Sequence, residues 1–237
     1  MRLKALFVLL TTIVFFNQGI AQESFLKKNK QWVAPVVLGG IGLALYNHPT
    51  KNAQIEFRNQ YLPNFQTKID DFLQFSPTLL FIGANVAQRI SSNSPQPIKD
   101  KLGVFIIGTA TYVGISQILK RGINDNRPDG GNFSFPSGHT TSAFFGARIL
   151  DKEFRQTKPW LVVGGYTLAS ATGVLRMANN KHWVNDVFFG AGLGIASAEF
   201  AYWLYPKLKS KTVNKQAFHF DPIIAPDFYS ARATYTF

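Results

Sequence analysis

The sequence predicts an all-α protein, a bundle of about six helices with a short C-terminal β-hairpin or extended tail. Three observations carry this. Apolar segments of helical length recur from residue 32 to 205. Asn, Gly and Pro punctuate them. Few alternating, β-branched runs occur before residue 216, and no internal repeat or low-complexity tract is present.

The first residues have the pattern of a secretory signal. Arg2 and Lys4 give the positive start, Leu6 to Phe16 the apolar stretch, and Gly19-Ile20-Ala21 a small-x-small cleavage site. Residues 1–21 are therefore expected to be a signal peptide and the chain to be exported to a bacterial-type cell envelope. Trp32 to Tyr46 is apolar and ends at Asn47-His48-Pro49. Within residues 51–75, Leu62, Phe65, Ile69, Phe72 and Leu73 recur at three- and four-residue spacing, which predicts an amphipathic helix. Pro77 to Ile90 is the next helical segment, and SSNSPQP at 91–97 breaks it.

Leu102 to Leu119 is the longest uncharged run, and Lys120 follows it directly. Turn-formers then fill residues 124–131. A helix is expected from Ser137 or Gly138 to about Leu150, followed by a charged connection, Asp151 to Lys158. Pro159 suits a first helical position, and Trp160 to Leu175 continues from it. A last helix is expected from about Trp183 to Tyr205, with Pro206 as its stop. The helical domain is thus 22–212 and the tail 213–237. In the tail, Phe218 to Ile224 and Phe228 to Phe237 alternate and are rich in aromatics.

Leu102–Leu119 and Val187–Tyr205 approach the length needed to span a bilayer, although Glu199 interrupts the second. The other segments are shorter and the mean hydropathy is zero. The expectation is a membrane-associated or periplasmic protein rather than one with every helix spanning. The 237 residues carry a net charge of +12 and no cysteine, which excludes disulfides and thiolate metal sites. The charge favours an anionic partner. It is dispersed, with local groups only at Lys27, Lys28, Lys30 and at Lys207, Lys209, Lys211, so no nucleic acid is expected as a partner.

Three clusters carry chemistry. Lys120 precedes Arg127-Pro128, Pro136-Ser137-Gly138-His139 follows, and Arg176 leads to His182 and Asp186. Singly, each reads as readily as a solvated helix end or a surface pair. Together they supply the parts of a phosphoryl-transfer site. Lys120, Arg127 and Arg176 form a positive cradle for equatorial oxygens. Ser137 offers a hydroxyl, and Gly138 gives close backbone approach at a helix start. His182, four residues before Asp186, can be an oriented nucleophile, and His139 is the available acid. Two His and one Asp could also hold a metal, but the flanking cations favour an anion, so no metal or other cofactor is expected.

KRGINDNRP (120–128), PSGH (136–139) and LRMANNKHWVND (175–186) resemble the signature of the type 2 phosphatidic acid phosphatase/vanadium haloperoxidase superfamily, K-x6-R-P, P-S-G-H and S-R-x5-H-x3-D. The resemblance covers about residues 77–205. It implies a helical bundle with the site at one end and a metal-independent phosphatase. It implies that Lys120, Arg127, Ser137, Gly138 and Arg176 bind phosphate, that His182 forms a phosphohistidine, that Asp186 orients it, and that His139 is acid and then base. Leu175 departs from the pattern, standing where the family usually has Ser. The implied substrate is a phosphate monoester or diphosphate of a lipid, or another small phosphate ester, taken at a membrane surface. The alternatives are a vanadate-dependent haloperoxidase and a non-catalytic envelope protein on the same scaffold.

Overall fold

The computed structural model describes residues 29–91, 98–213, 218–225 and 228–235. The expected signal peptide, residues 1–21, lies outside them. Among the described residues are eight helices: α1 (Lys30–Ala44), α2 (His48–Tyr61), α3 (Ile69–Leu73), α4 (Ser76–Ser91), α5 (Ile98–Ile123), α6 (Gly138–Phe154), α7 (Pro159–Ala178) and α8 (Val184–Val213). The described residues are all-α through residue 213. Beyond it, β1 (Phe218–Ala225) and β2 (Phe228–Tyr235) pair antiparallel, Phe218 opposite Tyr235 and Ala225 opposite Phe228.

α6 is the central helix. Eleven of its seventeen residues are buried, because α4, α5, α7 and α8 all pack around it. Phe145, Ile149, Leu150 and Phe154 of α6 meet Phe81 of α4, Leu161 and Val162 of α7 and Ala198 of α8 in the main apolar cluster. Small residues let the backbones approach. Gly108 of α5 lies under the Phe145 ring, and Gly194 of α8 lies against the Thr141 carbonyl and the Phe145 amide of α6. α1 runs along α8, with Gly42 packed against Phe189.

Three boundaries differ from the sequence expectation. Residues 51–75 do not form one helix. α2 stops at Tyr61, Leu62 takes φ −135° and ψ 43°, and only the short α3 follows. Pro63 disfavours helical backbone at Leu62, so the apolar spacing of Leu62 and Phe65 falls on irregular chain. Asp151 to Phe154 belong to α6 rather than to a solvated connection. Asp151 is buried and accepts hydrogen bonds from Arg148, Arg155 and Tyr166. Finally, α8 continues through Pro206 to Val213. Proline removes one backbone bond, but Tyr205 and Lys209 both bond Asp100 of α5, at 2.8 Å each, and hold the helix on either side of it.

Among the described residues, three helices are long and apolar enough to cross a membrane: Lys99–Ile123, Pro159–Ala178 and Val184–Lys209. The first and third contain the two runs singled out in the sequence, and the second adds a helix that had looked too short. Their outer surfaces carry exposed Ile106, Val113, Ile118, Trp160, Val163 and Trp203. Glu199, the charge inside the third, faces inward and pairs with Arg148 and Lys152 of α6.

The close approach of α8 to α6 leads to a specific expectation. Gly194→Ala places a methyl against the backbone of Thr141 and Phe145 and is expected to destabilise by about 1–3 kcal/mol. Gly164→Ala, where nothing lies within 4 Å of the added carbon, should leave stability unchanged or slightly raised. Thermal unfolding of the two variants in detergent measures the difference.

Candidate active site

Short connections make α6 and α7, and α7 and α8, antiparallel neighbours. The C-terminal ends of α5 and α7 therefore meet the N-terminal ends of α6 and α8. The three sequence clusters lie at these ends, so the bundle brings them together. The amide of Ser137, just before α6, donates to the Asp186 carbonyl of α8 at 3.1 Å, and the amides of Lys181 and His182 both donate to the Arg176 carbonyl, at 3.0 and 3.3 Å. Asn180, at φ 59°, turns the chain out of α7, a conformation that Asn tolerates better than most residues.

His182 is buried and its Nδ1 lies 3.2 Å from Oδ2 of Asp186. A carboxylate can only accept, so the proton sits on Nδ1 and Nε2 presents its lone pair. Asp186 is itself held by Ser134 Oγ, by the Trp183 amide at 3.0 Å and by Asn185 Nδ2 at 2.8 Å. Burial pushes the His182 pKa down to about 4; Lys120 and Arg176 act in the same direction and Asp186 opposes them. The ring is therefore neutral at physiological pH, as a nitrogen nucleophile must be.

Arg176 is buried and spans the site. Its Nη1 donates to Asp70 Oδ2 at 2.7 Å and to Asp71 Oδ1 at 3.3 Å. His139 Nε2 lies 3.0 Å from the same Asp71 oxygen. Arg176 also acts electrostatically on both His139 and His182. The buried Nε atoms of Arg176 and Arg127 have no hydrogen-bond partner. Two unpaired guanidinium N–H groups at the junction of four helix ends fit an anion.

Two of the expected phosphate ligands also make contacts within the fold. Lys120 Nζ donates to the carbonyls of Phe133, at 2.7 Å, and Ser134, at 3.4 Å. It thereby holds a loop in which Phe133 adopts φ 60°, a left-handed backbone that a bulky residue takes only under constraint. Ser137 is fully buried and its hydroxyl pairs with Thr140 Oγ1 at 2.9 Å. Gly138 is the first residue of α6, and space is open beside its Cα.

Several residues at the site were not singled out in the sequence. Asp70 and Asp71 lie on α3, within the stretch expected to be a plain amphipathic helix. Asn179 fastens α3, donating to Asp70 Oδ1 and the Thr67 carbonyl and accepting from the Thr67 amide, each at 2.9 Å. α2 clasps the third motif: Gln54 donates to the His182 carbonyl at 3.0 Å and accepts from the Val184 amide at 2.7 Å. Lys51 pairs with Asp125 at 2.7 Å, and Lys181 with Asp129 at 2.7 Å. Trp183 Nε1 donates to the Asn126 carbonyl at 2.6 Å. Only the buried pairing of Asp70 could have been suspected, from two adjacent acids in a basic chain.

Two outcomes are expected from these contacts. His182 binds a proton readily when unfolded but not when folded, so between pH 6.5 and about 4 the unfolded state holds more protons. Stability should therefore rise with pH across that window, and His182→Gln should flatten the slope in thermal unfolding curves. Asp70→Ala removes the nearest partner of a buried guanidinium and is expected to destabilise by about 3 kcal/mol or more, read in the same assay.

Residues 128–210 match the family model of the PAP2 superfamily. A lipid A 1-phosphatase of Porphyromonas gingivalis is 37% identical over 145 residues, 60% of this chain and 32% of that protein. Lipid phosphate phosphatase 2 of Arabidopsis thaliana is 34% identical over 116 residues, 44% of this chain and 37% of the relative. The chain thus spans well under half the length of these relatives. Among solved structures, a transmembrane PAP2 type phosphatidylglycerolphosphate phosphatase from Bacillus subtilis superposes with a TM-score of 0.50 at 21% identity, covering 77% of this chain and 98% of the other, which speaks for the fold. Residues 128–210, which carry Pro128, PSGH and the Arg176–His182–Asp186 cluster, thus match the PAP2 superfamily model, with Lys120 and Arg127 just ahead of the matched segment.

Proposed function

We propose that the protein is a phosphatase that releases phosphate from a phosphorylated lipid through a phosphohistidine intermediate. One observation supports the reading most: Arg176 shares one Asp71 oxygen with His139, and its carbonyl receives the amide of His182, a buried, neutral, carboxylate-oriented histidine. In this reading a phosphate held by Arg176 and Arg127 lies between His182 Nε2 and His139.

The chemistry follows from that order. His182 Nε2 attacks phosphorus, and the ester P–O bond breaks. The leaving oxygen takes a proton from His139. His139, now neutral, takes a proton from water as the water oxygen attacks phosphorus. The P–N bond breaks, phosphate departs, and both histidines return to their starting states. Arg127, Arg176 and the amides at the start of α6 offset the charge on the equatorial oxygens. Lys120 supports them through the Phe133–Ser134 loop and its own positive charge.

A lipid substrate suits the surroundings. Among the described residues, the three helices long enough to span a bilayer have the site at one end, which supports a phosphate presented at the level of lipid headgroups. Exposed Phe72 and Phe75, on α3 and the turn after it, flank Asp71 in sequence, and exposed Phe57 packs on Tyr61 in α2. The relatives' names point to lipid A 1-phosphate as the first substrate to try, with phosphatidate, phosphatidylglycerol phosphate and isoprenyl diphosphates beside it.

The test is phosphate release by the purified protein from that panel. His182→Ala is expected to reduce turnover by about 10⁴-fold or more, and an acid-labile, base-stable phosphoenzyme should be trapped from radiolabelled substrate in the wild type alone. Turnover retained in His182→Ala would overturn the mechanism.

A further inference from the structure

The site contains two histidine–carboxylate pairs, and only one belongs to the sequence motifs. His182 pairs through Nδ1 with the buried Asp186 of its own segment. His139 pairs through Nε2 with Asp71, which comes from α3, 68 residues earlier in the chain. We propose that Asp71 is the positioning residue for His139: it holds the imidazole through Nε2 and leaves Nδ1 to pass the proton to the leaving oxygen. The proposal rests on the phosphatase reading above.

Three features support it. First, Asp71 is rigidly placed although its helix has only five residues. Its neighbour Asp70 is buried between Arg176 and Asn179, and Asn179 also grips the Thr67 backbone at both its amide and its carbonyl. Second, the charges facing His139 are opposed. Asp70 and Asp71 of α3 favour the imidazolium; Arg176 of α7, together with burial, disfavours it, and the balance lies below the ordinary histidine value. An acid beside a guanidinium clamp needs a compensating carboxylate to keep its proton until the leaving group calls for it. Third, the two pairs differ in exposure. The Asp186 side chain is fully buried and that of Asp71 is 52% exposed. A nucleophile gains from exclusion of water, whereas an acid that becomes a base for water gains from access to it.

The experiment uses the full chain with hexyl phosphate, whose alkoxide must be protonated as it leaves, and p-nitrophenyl phosphate, whose phenolate leaves unaided. Asp71→Asn is expected to lower kcat on hexyl phosphate by about tenfold or more, with a much smaller loss on p-nitrophenyl phosphate. KM should change little, the alkaline limb of the pH profile should move to lower pH, and Asp71→Glu should restore part of the loss. Equal losses on both esters with an unmoved pH profile would mark a merely structural residue and overturn the proposal. So would a gain in turnover with tighter binding of inorganic phosphate, which would make Asp71 a competitor for the phosphate position. NMR titration of the His139 ring reads the same contact without turnover. Asp71→Asn should lower its midpoint, and an unchanged midpoint overturns the proposal whatever the esters show. A wild-type protein that releases phosphate from neither ester overturns the phosphatase reading and this proposal with it.

Discussion

The arrangement depends on burying one guanidinium. Arg176 sits near the end of α7 with almost no contact with water, and an unpaired charge in that position would be several kcal/mol unfavourable. Asp70 answers it directly, Asn179 holds Asp70, and the backbone of Thr67 holds Asn179. The Arg176 carbonyl in turn receives the amides of Lys181 and His182. One residue thus fixes α3 with its side chain and the His182 segment with its main chain. The neutralisation is partial in geometry, because Nε stays unpartnered. The charge is held in the fold with one N–H left unpaired.

The same logic separates the parts of the site. Asp186 accepts from four donors and is immobile, so His182 has one tautomer and one orientation. Asp71 accepts from His139 and Arg176 only at its Oδ1 and remains half in solvent. Dense packing surrounds the first pair and a short, polar-anchored helix supports the second. The difference lies in burial and not in residue type.

Much of this could be read from the sequence, and the reasons are local. Helix ends at residues 123, 138, 178 and 184 follow from charged, Gly and Asn positions beside apolar runs. The clusters could be grouped because phosphoryl chemistry requires them together. What escaped was tertiary. Ser134 and Asn185 support Asp186 through contacts that no spacing rule announces. Asp70 and Asp71 were hidden inside an apolar periodicity that Pro63 interrupts. The continuation of α8 past Pro206 depends on Asp100, more than a hundred residues away. The hydroxyl of Ser137 was expected to face a ligand, yet Thr140, its neighbour by one helical turn, engages it.

The Glu199 carboxylate, tied to Arg148 and Lys152, has a consequence for how such a chain is made. A helix with an acid near its middle enters a bilayer at a penalty of about 2.5–3.5 kcal/mol for that residue. Both cations that offset it lie on α6, which leaves the ribosome before α8. By the time Glu199 emerges, its counter-charges already exist and are separated from it only by the α7 hairpin. Arg148 does not wait bare for it, because Asp151, one turn on along α6, already answers it. The order in which the charges appear therefore leaves Glu199 and Arg148 each with a partner at hand as the chain lengthens.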